Sequence, residues 1–194
     1  MSVKIVSDPA DLPAGFLYQP DFLSTTEEAQ LLRRIRGLEF GPYDFRGYIA
    51  KRRVVAYGGG YESGTPPMTI ADIALPEFLL SIRDRAASVA GVRAEEIVQG
   101  MVTEYSVGAP IGWHRDRPQF GTIIGISLAS SARLRLKPYQ AEGGIISVML
   151  EPRSIYVLSG MARRAFQHSI PRVKELRYSI TFRTLAEKYK ARAA

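Results

Sequence analysis

Apolar residues follow a helical spacing in the first part of the chain and mostly short runs or a spacing of two in the second part. Ser24 and Glu27 form a capping-box pattern, and apolar residues recur after it at intervals of three and four, which predicts a helix ending near Gly37. A second helix is predicted over residues 77–90, ending at Gly91. Both helices precede the segments that are rich in strand signals.

The second part of the chain contains short apolar or alternating runs separated by Gly, Pro and polar turns. We predict strands at residues 100–107, 120–128, 132–136, 145–150, 154–158 and 178–184. Many short strands without alternating helices indicate a sandwich or jelly roll rather than a parallel sheet. The expected fold class is therefore mainly β with flanking helices (α+β).

Length and composition predict a globular protein of one domain. The chain has 194 residues, of which 46% are hydrophobic, and neither a linker nor a low-complexity tract divides it. We expect a single domain over residues 1–194, with a helical front at 1–95 and a strand-rich core at 96–185, in a monomer. The sequence has no run of about 18 apolar residues, so it predicts no membrane span. The first residues lack the apolar core of a signal peptide.

Cysteine count and charge narrow the possible functions further. The chain has no cysteine, which excludes disulfides and thiolate metal sites and agrees with a reducing compartment, so we expect a cytoplasmic protein. Lys and Arg number 26 against 19 Asp and Glu, which gives a net charge of +7. This balance favours polyanionic partners, with nucleic acid as the first candidate, although basic residues can also serve only to solvate a surface.

The only two histidines of the chain stand in a pattern typical of a metal site. His114-Arg-Asp116 is followed at a distance by His168, and two histidines with one carboxylate form the facial triad of non-heme Fe(II) oxygenases. In an extended strand His114 and Asp116 would point to the same face, with Trp113 on the other, and His168 would come from another strand. The same ligands can bind Zn(II), Mn(II), Co(II) or Ni(II), so the residues predict a site better than a particular metal.

Two arginines near the end of the chain complement the metal pattern. Arg177 and Arg183 are an even number of positions apart in a run with strong strand propensity, so both side chains are expected to face the same side as the metal. A guanidinium is a planar fork that pairs with a carboxylate through two hydrogen bonds and stays charged at physiological pH. This face is therefore suited to a dicarboxylate.

Residues from about 52 to 185 resemble the AlkB-like dioxygenases, which depend on Fe(II) and 2-oxoglutarate. The resemblance rests on an ordered set of motifs, namely Thr103-Glu-Tyr105, His114-Arg-Asp116, His168 and Arg177-Tyr-Ser-Ile-Thr-Phe-Arg183. It implies a double-stranded β-helix (jelly roll) with the metal inside its open end. It also implies an enzyme that uses Fe(II), 2-oxoglutarate and O2.

The same resemblance implies how the co-substrate is bound. Tyr105 and Arg177 would bind the distal carboxylate of 2-oxoglutarate, and Arg183 would bind the end that chelates iron. Thr103 stands where the family usually has Asn. A hydroxyl cannot replace both functions of an amide, so we expect co-substrate binding to be weaker or rearranged at this position.

A basic and aromatic segment nearer the front resembles the nucleotide-recognition lid of the same family. Lys51-Arg52-Arg53 is followed by Tyr57 and Tyr61 on a glycine-rich stretch. Basic residues can neutralise phosphates and tyrosines can stack on bases, so Arg52, Arg53, Tyr57 and Tyr61 are the expected substrate-binding residues. The alternative is a hairpin with aromatic packing.

The implied activity is oxidative dealkylation of N-alkylated nucleobases in DNA or RNA, as in repair. Pro118 and Gln119 stand where repair members often carry acidic residues, so recognition of a cationic base by negative charge is in doubt there. Three alternatives stay open. They are a 2-oxoglutarate oxygenase acting on a protein, lipid or small molecule, a non-catalytic metal-dependent binding protein, and a Zn(II)-dependent hydrolase or isomerase of jelly-roll type.

Overall fold

Two β-sheets face each other, with two helices against the outer face of the larger one. A computed structural model describes residues 3–5, 12–45, 48–58 and 75–190. The strands are β1 (Val3–Ile5), β2 (Phe16–Gln19), β3 (Gly41–Phe45), β4 (Tyr48–Gly58), β5 (Ile97–Tyr105), β6 (Ile111–His114), β7 (Phe120–Leu128), β8 (Ala132–Pro138), β9 (Ile145–Leu150), β10 (Ile155–Leu158), β11 (Phe166–Ile170) and β12 (Arg177–Leu185). The α-helices are α1 (Thr25–Ile35), α2 (Glu77–Ala90), α3 (Gly160–Arg164) and α4 (Glu187–Lys190), and a 3-10 turn spans Ala94–Glu96.

Each sheet has a defined strand order. The larger sheet runs β2-β10-β7-β12-β5-β4-β3, and the smaller runs β1-β9-β8-β11-β6. Neighbouring strands pair antiparallel except β1 and β9, which are parallel. The mainly β class with flanking helices is therefore confirmed, whereas the single-domain organisation and the monomeric state stay predictions.

Local sequence signals account for the ends of the two long helices. The Ser24 hydroxyl accepts a hydrogen bond from the Glu27 backbone N–H, and the Glu27 carboxylate accepts one from the Ser24 N–H, so α1 begins with the predicted capping box. Helix α2 ends at Gly91, whose φ of +64° is readily adopted by glycine. The apolar faces of both helices pack on the larger sheet around Leu79 and Ile35.

The central strand β12 separates two chemically different regions. It is buried along its whole length between β5 and β7. Tyr178, Ile180 and Phe182 belong to the apolar cluster beneath the helices. Since side chains alternate along a strand, Arg177 and Arg183 face the space between the two sheets, as predicted.

Most predicted elements are present, with strand ends shifted by up to three residues. The predicted strands do not include β1 to β4, nor β6 and β11. Neither β6 nor β11 shows a clear apolar alternation, although the histidine pattern placed a strand at each of them. These two strands carry His114 and His168. In the described ranges, no helix is long and apolar enough to cross a membrane.

Candidate metal and co-substrate site

Three side chains with metal-binding atoms meet between the sheets. The donor atoms of His114, Asp116 and His168 all lie within 4.8 Å of one another. His114 is the last residue of β6 and pairs directly with His168 of β11, which places the two ring centroids 4.3 Å apart. His168 Nε2 lies 3.4 Å from Asp116 Oδ2. The structure thus brings together the three residues predicted to be metal ligands.

Asp116 joins this cluster from a loop. Strand β6 ends at His114, so the expected alternation of His114 and Asp116 along one strand is not the reason for their proximity. The carboxylate is held instead by Arg183 of β12, whose Nε donates to Asp116 Oδ1 over 3.0 Å. Nη1 of Arg183 donates to Gln99 Oε1 over 2.8 Å. An ion pair with the central strand therefore places the third member of the cluster.

A second arginine, Arg163 of α3, holds the backbone next to the same carboxylate. Its Nη2 donates to the carbonyl oxygens of Asp116, Arg117 and Phe120 at 3.2, 2.8 and 3.0 Å. Burial lowers the pKa of Arg163, and the nearby Asp116 carboxylate opposes that shift. No sequence pattern indicated Arg163, because its partners are backbone carbonyls, which every residue has.

The surroundings favour a neutral His168 imidazole and an ionised Asp116 carboxylate. Burial lowers the pKa of His168 to about 3, and His114 adds to the effect. Burial alone would raise the pKa of Asp116, but Arg183 and the two histidines outweigh it and leave that pKa well below its usual value. His114 Nδ1 lies 2.9 Å from the Gly112 carbonyl oxygen, and donation there leaves the Nε2 lone pair for a metal. At neutral pH His168 and Asp116 therefore have the protonation states that metal binding requires.

Farther along β12, Arg177 forms a buried cationic group behind Tyr105. Arg177 is 1% exposed, and its guanidinium carbon lies 4.7 Å from the centroid of the Tyr105 ring. Its Nε and Nη2 donate to Ser127 Oγ at 3.2 and 3.1 Å. Among the described residues, Nη1 has no hydrogen-bond partner and no carboxylate pairs with the guanidinium. A buried charge without a counter-ion is unfavourable, so this position fits an anion.

Thr103 and Tyr105 form the neighbouring wall on β5. Both border the cavity between the sheets. The Tyr105 hydroxyl lies 3.4 Å from Ser179 Oγ. Thr103 Oγ1 is buried and has no hydrogen-bond partner in the described part of the chain. The hydroxyl that stands in place of the family's amide is therefore available to a bound molecule.

Tyr156 is a further cavity residue that the sequence did not indicate. It pairs with Gly125 of the adjacent strand β7, and a Cβ added at Gly125 would lie 2.2 Å from the Tyr156 ring. Gly125 is therefore needed for this ring position. Burial raises the pKa of Tyr156, so its hydroxyl stays protonated and able to donate. The only sequence signal is a glycine opposite a tyrosine, which becomes visible once the strand pairing is known.

A cavity of about 470 Å³ lies between the sheets, which is a size typical of small-molecule sites. Arg177 lies behind Tyr105 and is not part of the cavity wall. The histidine and carboxylate cluster, Thr103, Tyr105 and Tyr156 all border the cavity. Its border also includes exposed or half-exposed cationic and aromatic residues, namely Tyr43, Lys51, Arg52, Trp113, Arg115, Arg117 and Arg172. The cavity thus combines a buried polar interior with a positively charged border.

The predicted substrate-binding arginines lie on opposite faces of β4. Arg52 borders the cavity, and its guanidinium carbon lies 4.2 Å from the centroid of the Tyr43 ring. Arg53 faces the other way, where its Nη2 pairs with Glu104 Oε1 over 2.8 Å. The expectation that Arg53 shares the site with Arg52 is therefore corrected, because successive side chains of a strand alternate.

The predicted aromatic residues also differ from those at the cavity. Tyr57 has the same parity as Arg53 and packs against the apolar cluster beneath the helices, where burial raises its pKa. The structure therefore does not place Tyr57 beside the cavity. Tyr61 lies outside the described residues. Tyr43 of β3 borders the cavity beside Arg52 instead, and the sequence did not indicate it because β3 was not predicted.

Comparison with known families assigns this arrangement to a family. A model of the 2OG-Fe(II) oxygenase superfamily matches residues 15–183. This range includes His114, Asp116, His168 and both arginines of β12. The chain belongs to the 2OG-Fe(II) oxygenase superfamily. Fe(II), 2-oxoglutarate and O2 are the cofactor and co-substrates of this superfamily.

Curated relatives of this oxygenase are AlkB-like, as the sequence motifs indicated. The alkylated DNA repair protein ALKBH8 homolog of Arabidopsis thaliana is 29% identical over 198 residues, which cover 89% of this chain and 55% of that protein. The alpha-ketoglutarate-dependent dioxygenase AlkB of Salmonella typhimurium is 29% identical over 126 residues, which cover 59% of this chain and 58% of that protein. The chain therefore spans little more than half the length of these relatives.

Solved structures confirm the double-stranded β-helix. The structure of OsALKBH1 matches with a TM-score of 0.69 at 16% identity, over 89% of this chain and 99% of that one. A prolyl hydroxylase from Trichoplax adhaerens, solved with a peptide fragment of hypoxia inducible factor, matches with a TM-score of 0.67 at 16% identity, over 93% and 87%. At these identities the likeness concerns the fold alone.

The side chains of this oxygenase fit the superfamily's cofactor and co-substrate. Two imidazoles and one carboxylate are donors that suit Fe(II) and leave coordination positions open. The Arg177 guanidinium lacks a counter-ion among the described residues, and the Thr103 hydroxyl lacks a hydrogen-bond partner there. A carboxylate can accept hydrogen bonds from both groups, so a dicarboxylate fits them.

Arg163→Gln should weaken metal binding, because three carbonyls around Asp116 lose their common donor. Loss of a residue that orients a ligand costs about 10- to 100-fold in metal affinity. Titration of the metal-free protein with Co(II), followed by the absorption of the bound ion, measures that affinity. Arg164→Gln, on the exposed side of the same helix, is the matched control and should leave it unchanged. Equal affinities in the two variants would exclude the positioning role.

Arg177→Met should separate co-substrate binding from folding. The affinity for 2-oxoglutarate should fall at least about tenfold, since a hydrogen bond to a charged group contributes about 1.5–3 kcal/mol. The free energy of unfolding should change by less than about 1 kcal/mol, because the guanidinium has no counter-ion in the unliganded protein. Calorimetric titration in the presence of Mn(II) and urea unfolding give the two quantities, with Arg172→Met as control. A large loss of stability at unchanged affinity would indicate a purely structural arginine.

Proposed function

We propose that this protein is an Fe(II)- and 2-oxoglutarate-dependent dioxygenase that oxidatively dealkylates N-alkylated nucleobases in DNA or RNA. The observation that carries the proposal is the cavity of about 470 Å³, which combines the buried histidine and carboxylate cluster with a cationic border. The relatives support the substrate class, since one is named an alkylated DNA repair protein homolog and another is AlkB.

His114, Asp116 and His168 are the proposed ligands of Fe(II). The bound iron, with 2-oxoglutarate and O2, supplies the oxidation that hydroxylates the alkyl carbon, which then leaves as an aldehyde. Arg183 holds the Asp116 carboxylate and Arg163 holds the backbone next to it, so protein contacts preassemble this part of the ligand set. Preassembly reduces the reorganisation that binding would otherwise require.

Arg177, Tyr105, Thr103 and Arg183 are the proposed binding residues for 2-oxoglutarate. Arg177 supplies the charge for the distal carboxylate, and the Tyr105 ring lies beside it. Arg183 lies next to the iron end through its ion pair with Asp116 and balances negative charge there. Thr103 donates from its unpartnered hydroxyl. The co-substrate is thereby oriented with its keto acid toward the cluster.

The substrate base is proposed to enter past Tyr43 and Arg52. Arg52 can neutralise a phosphate, and Tyr43 offers an aromatic ring to a base that has flipped out of the nucleic acid. Arg115, Arg117 and Arg172 extend the positive border and attract a polyanion. Phosphates thus bind at the exposed border while the alkylated base reaches the cluster.

A reducing compartment fits this chemistry, because Fe(II) has to stay reduced between turnovers. The absence of cysteine from the sequence agrees with such a compartment. As part of the proposal, we place the protein in the cytoplasm and expect it to act as a monomer.

Aerobic incubation with Fe(II), ascorbate, 2-oxoglutarate and methylated oligonucleotides should yield demethylated oligonucleotide, formaldehyde and succinate in equal amounts. Single- and double-stranded DNA and RNA are compared by mass spectrometry, and Asp116→Ala should form none of these products because one of three metal ligands is lost. Succinate without demethylation would direct the search to a protein, lipid or small-molecule substrate. The absence of all three products, with metal and 2-oxoglutarate occupancy verified, would favour a binding protein. Turnover with Zn(II) and without O2 would favour a hydrolase.

Arg52→Gln and Arg53→Gln should have different effects although they are neighbours. Arg52→Gln should raise the KM for the oligonucleotide about three- to fourfold near 0.15 M salt, as expected for one lost phosphate contact. Arg53→Gln should leave this KM unchanged and lower the melting temperature, because Glu104 then stays buried without its partner. Initial rates and thermal unfolding test both. An equal rise of KM in the two variants would contradict the orientation of β4.

A further inference from the structure

The outer face of the smaller sheet carries a row of cations that the proposed function does not use. Arg133, Arg135 and Lys137 alternate along β8 with the buried Leu134 and Leu136, so their side chains point away from the cavity. None of the three forms an ion pair with any residue in the described ranges. The outward-facing residues paired with them on β9 and β11 carry no charge, namely Ser147, Met149, Gln167 and Ser169.

Aromatic side chains are interleaved with this row and connect it to the cavity. The Arg135 guanidinium carbon and Lys137 Nζ lie 4.9 and 4.8 Å from the centroid of the Trp113 ring, which is half-exposed and also borders the cavity. Tyr139 continues the row two residues after Lys137, and Arg115 lies over its ring at 3.6 Å. Arg115 likewise borders the cavity. The cations and rings therefore form one surface that reaches the cavity border.

We propose that this surface binds the single strand of nucleic acid that flanks the target base. We call it the outer basic face and define it by Trp113, Arg115, Arg133, Arg135, Lys137 and Tyr139. Alternate residues of a strand are about 6.6 Å apart, so the three β8 cations form an evenly spaced track for phosphates. Cations that follow the backbone, combined with rings on which bases stack, are the general means of binding single strands.

The chemistry of the face favours nucleic acid over an acidic protein. Its cations have no carboxylate partner among the described residues, although Arg135 donates to Ser169 Oγ over 3.1 Å, and they would serve either kind of molecule. The interleaved Trp113 and Tyr139 rings, however, match bases, all of which have a π-face. Trp113 and Arg115 border both the cavity and the outer basic face, so a strand could pass from one to the other without a gap. The inference rests on the proposed function for the occupant of the cavity, but binding to the face is measurable without turnover.

The test compares two double variants that remove the same charge at different places. Arg133→Gln with Lys137→Gln alters the outer basic face, and Arg33→Gln with Arg34→Gln alters exposed arginines of α1. Binding of an unmodified single-stranded 12-nucleotide RNA and DNA is followed by fluorescence anisotropy at several salt concentrations. Two lost phosphate contacts should lower the salt slope of log K by about 1.4 and the affinity about tenfold near 0.15 M salt. The α1 variant should change the affinity less than about twofold, because its charges lie off the proposed track.

Trp113→Ala adds a test for stacking. It should weaken oligonucleotide binding about fivefold or more and leave the binding of inorganic polyphosphate, which has no bases, unchanged. Equal effects of the two double variants, or no effect of the β8 variant, would overturn the proposal. The proposal would also be overturned if Trp113→Ala weakened the binding of polyphosphate as much as that of the oligonucleotide, because this would indicate general polyanion binding. Weaker binding of an acidic peptide than of the oligonucleotide supports nucleic acid, and the reverse order overturns it.

The two proposals fail in distinguishable ways. Arg133 and Lys137 do not border the cavity, so the double variant should retain the 2-oxoglutarate turnover of the unaltered protein. A protein that demethylates no oligonucleotide, yet loses single-strand affinity in the β8 variant, contradicts the proposed reaction and supports the outer basic face. A protein that demethylates oligonucleotides while the β8 variant keeps full affinity and salt slope supports the reaction and overturns the outer basic face.

Discussion

The buried ion pair between Asp116 and Arg183 connects the histidine and carboxylate cluster to β12, the central strand of the larger sheet. Asp116 lies in a loop after β6, so neither strand geometry nor an apolar contact fixes its position. Arg183, whose strand is buried on both faces, gives the carboxylate a rigid partner at 3.0 Å. Arg163 then restrains the backbone on the other side. The two histidines belong to the smaller sheet and Arg183, which holds the carboxylate, to the larger one, so the cluster can assemble only when both sheets are correctly placed.

The polar groups between the two sheets differ in net charge between the end near Asp116 and the end near Arg177. At the metal end, guanidinium groups face a carboxylate that offsets them. At the Arg177 end, no described residue supplies an anion. Under the proposed function, this asymmetry would orient a molecule with two carboxylates, with one carboxylate toward Arg177 and the other end toward His114, Asp116 and His168. The free energy of burying Arg177 alone is unfavourable, and the bound anion would offset it.

Residue types and their order predicted the chemistry of this protein better than their spacing predicted its geometry. His114, Asp116 and His168 could be recognised because the chain has so few histidines, and Arg177 and Arg183 because they share the parity of a strongly strand-like run. On β4 the phase of the alternation was not determined by the sequence, so Arg52 and Arg53 could not be separated. Arg163 and Tyr156 act through backbone carbonyls and a paired glycine, which appear only after the strands are aligned.

The place of β6 in its sheet bears on how the protein responds to its metal. This four-residue strand lies at the edge of the smaller sheet and pairs only with β11. Edge segments of this length open locally at low free energy, whereas His168 and Arg183 belong to strands with partners on both sides. One proposed ligand therefore lies on an edge strand, and the others are tied to strands that have a neighbour on each side. A metal bound to His114 and His168 would link β6 to its neighbour and stabilise the edge of the sheet. The backbone amides of β6 should then exchange with solvent more slowly when metal is bound, by an amount set by the binding free energy.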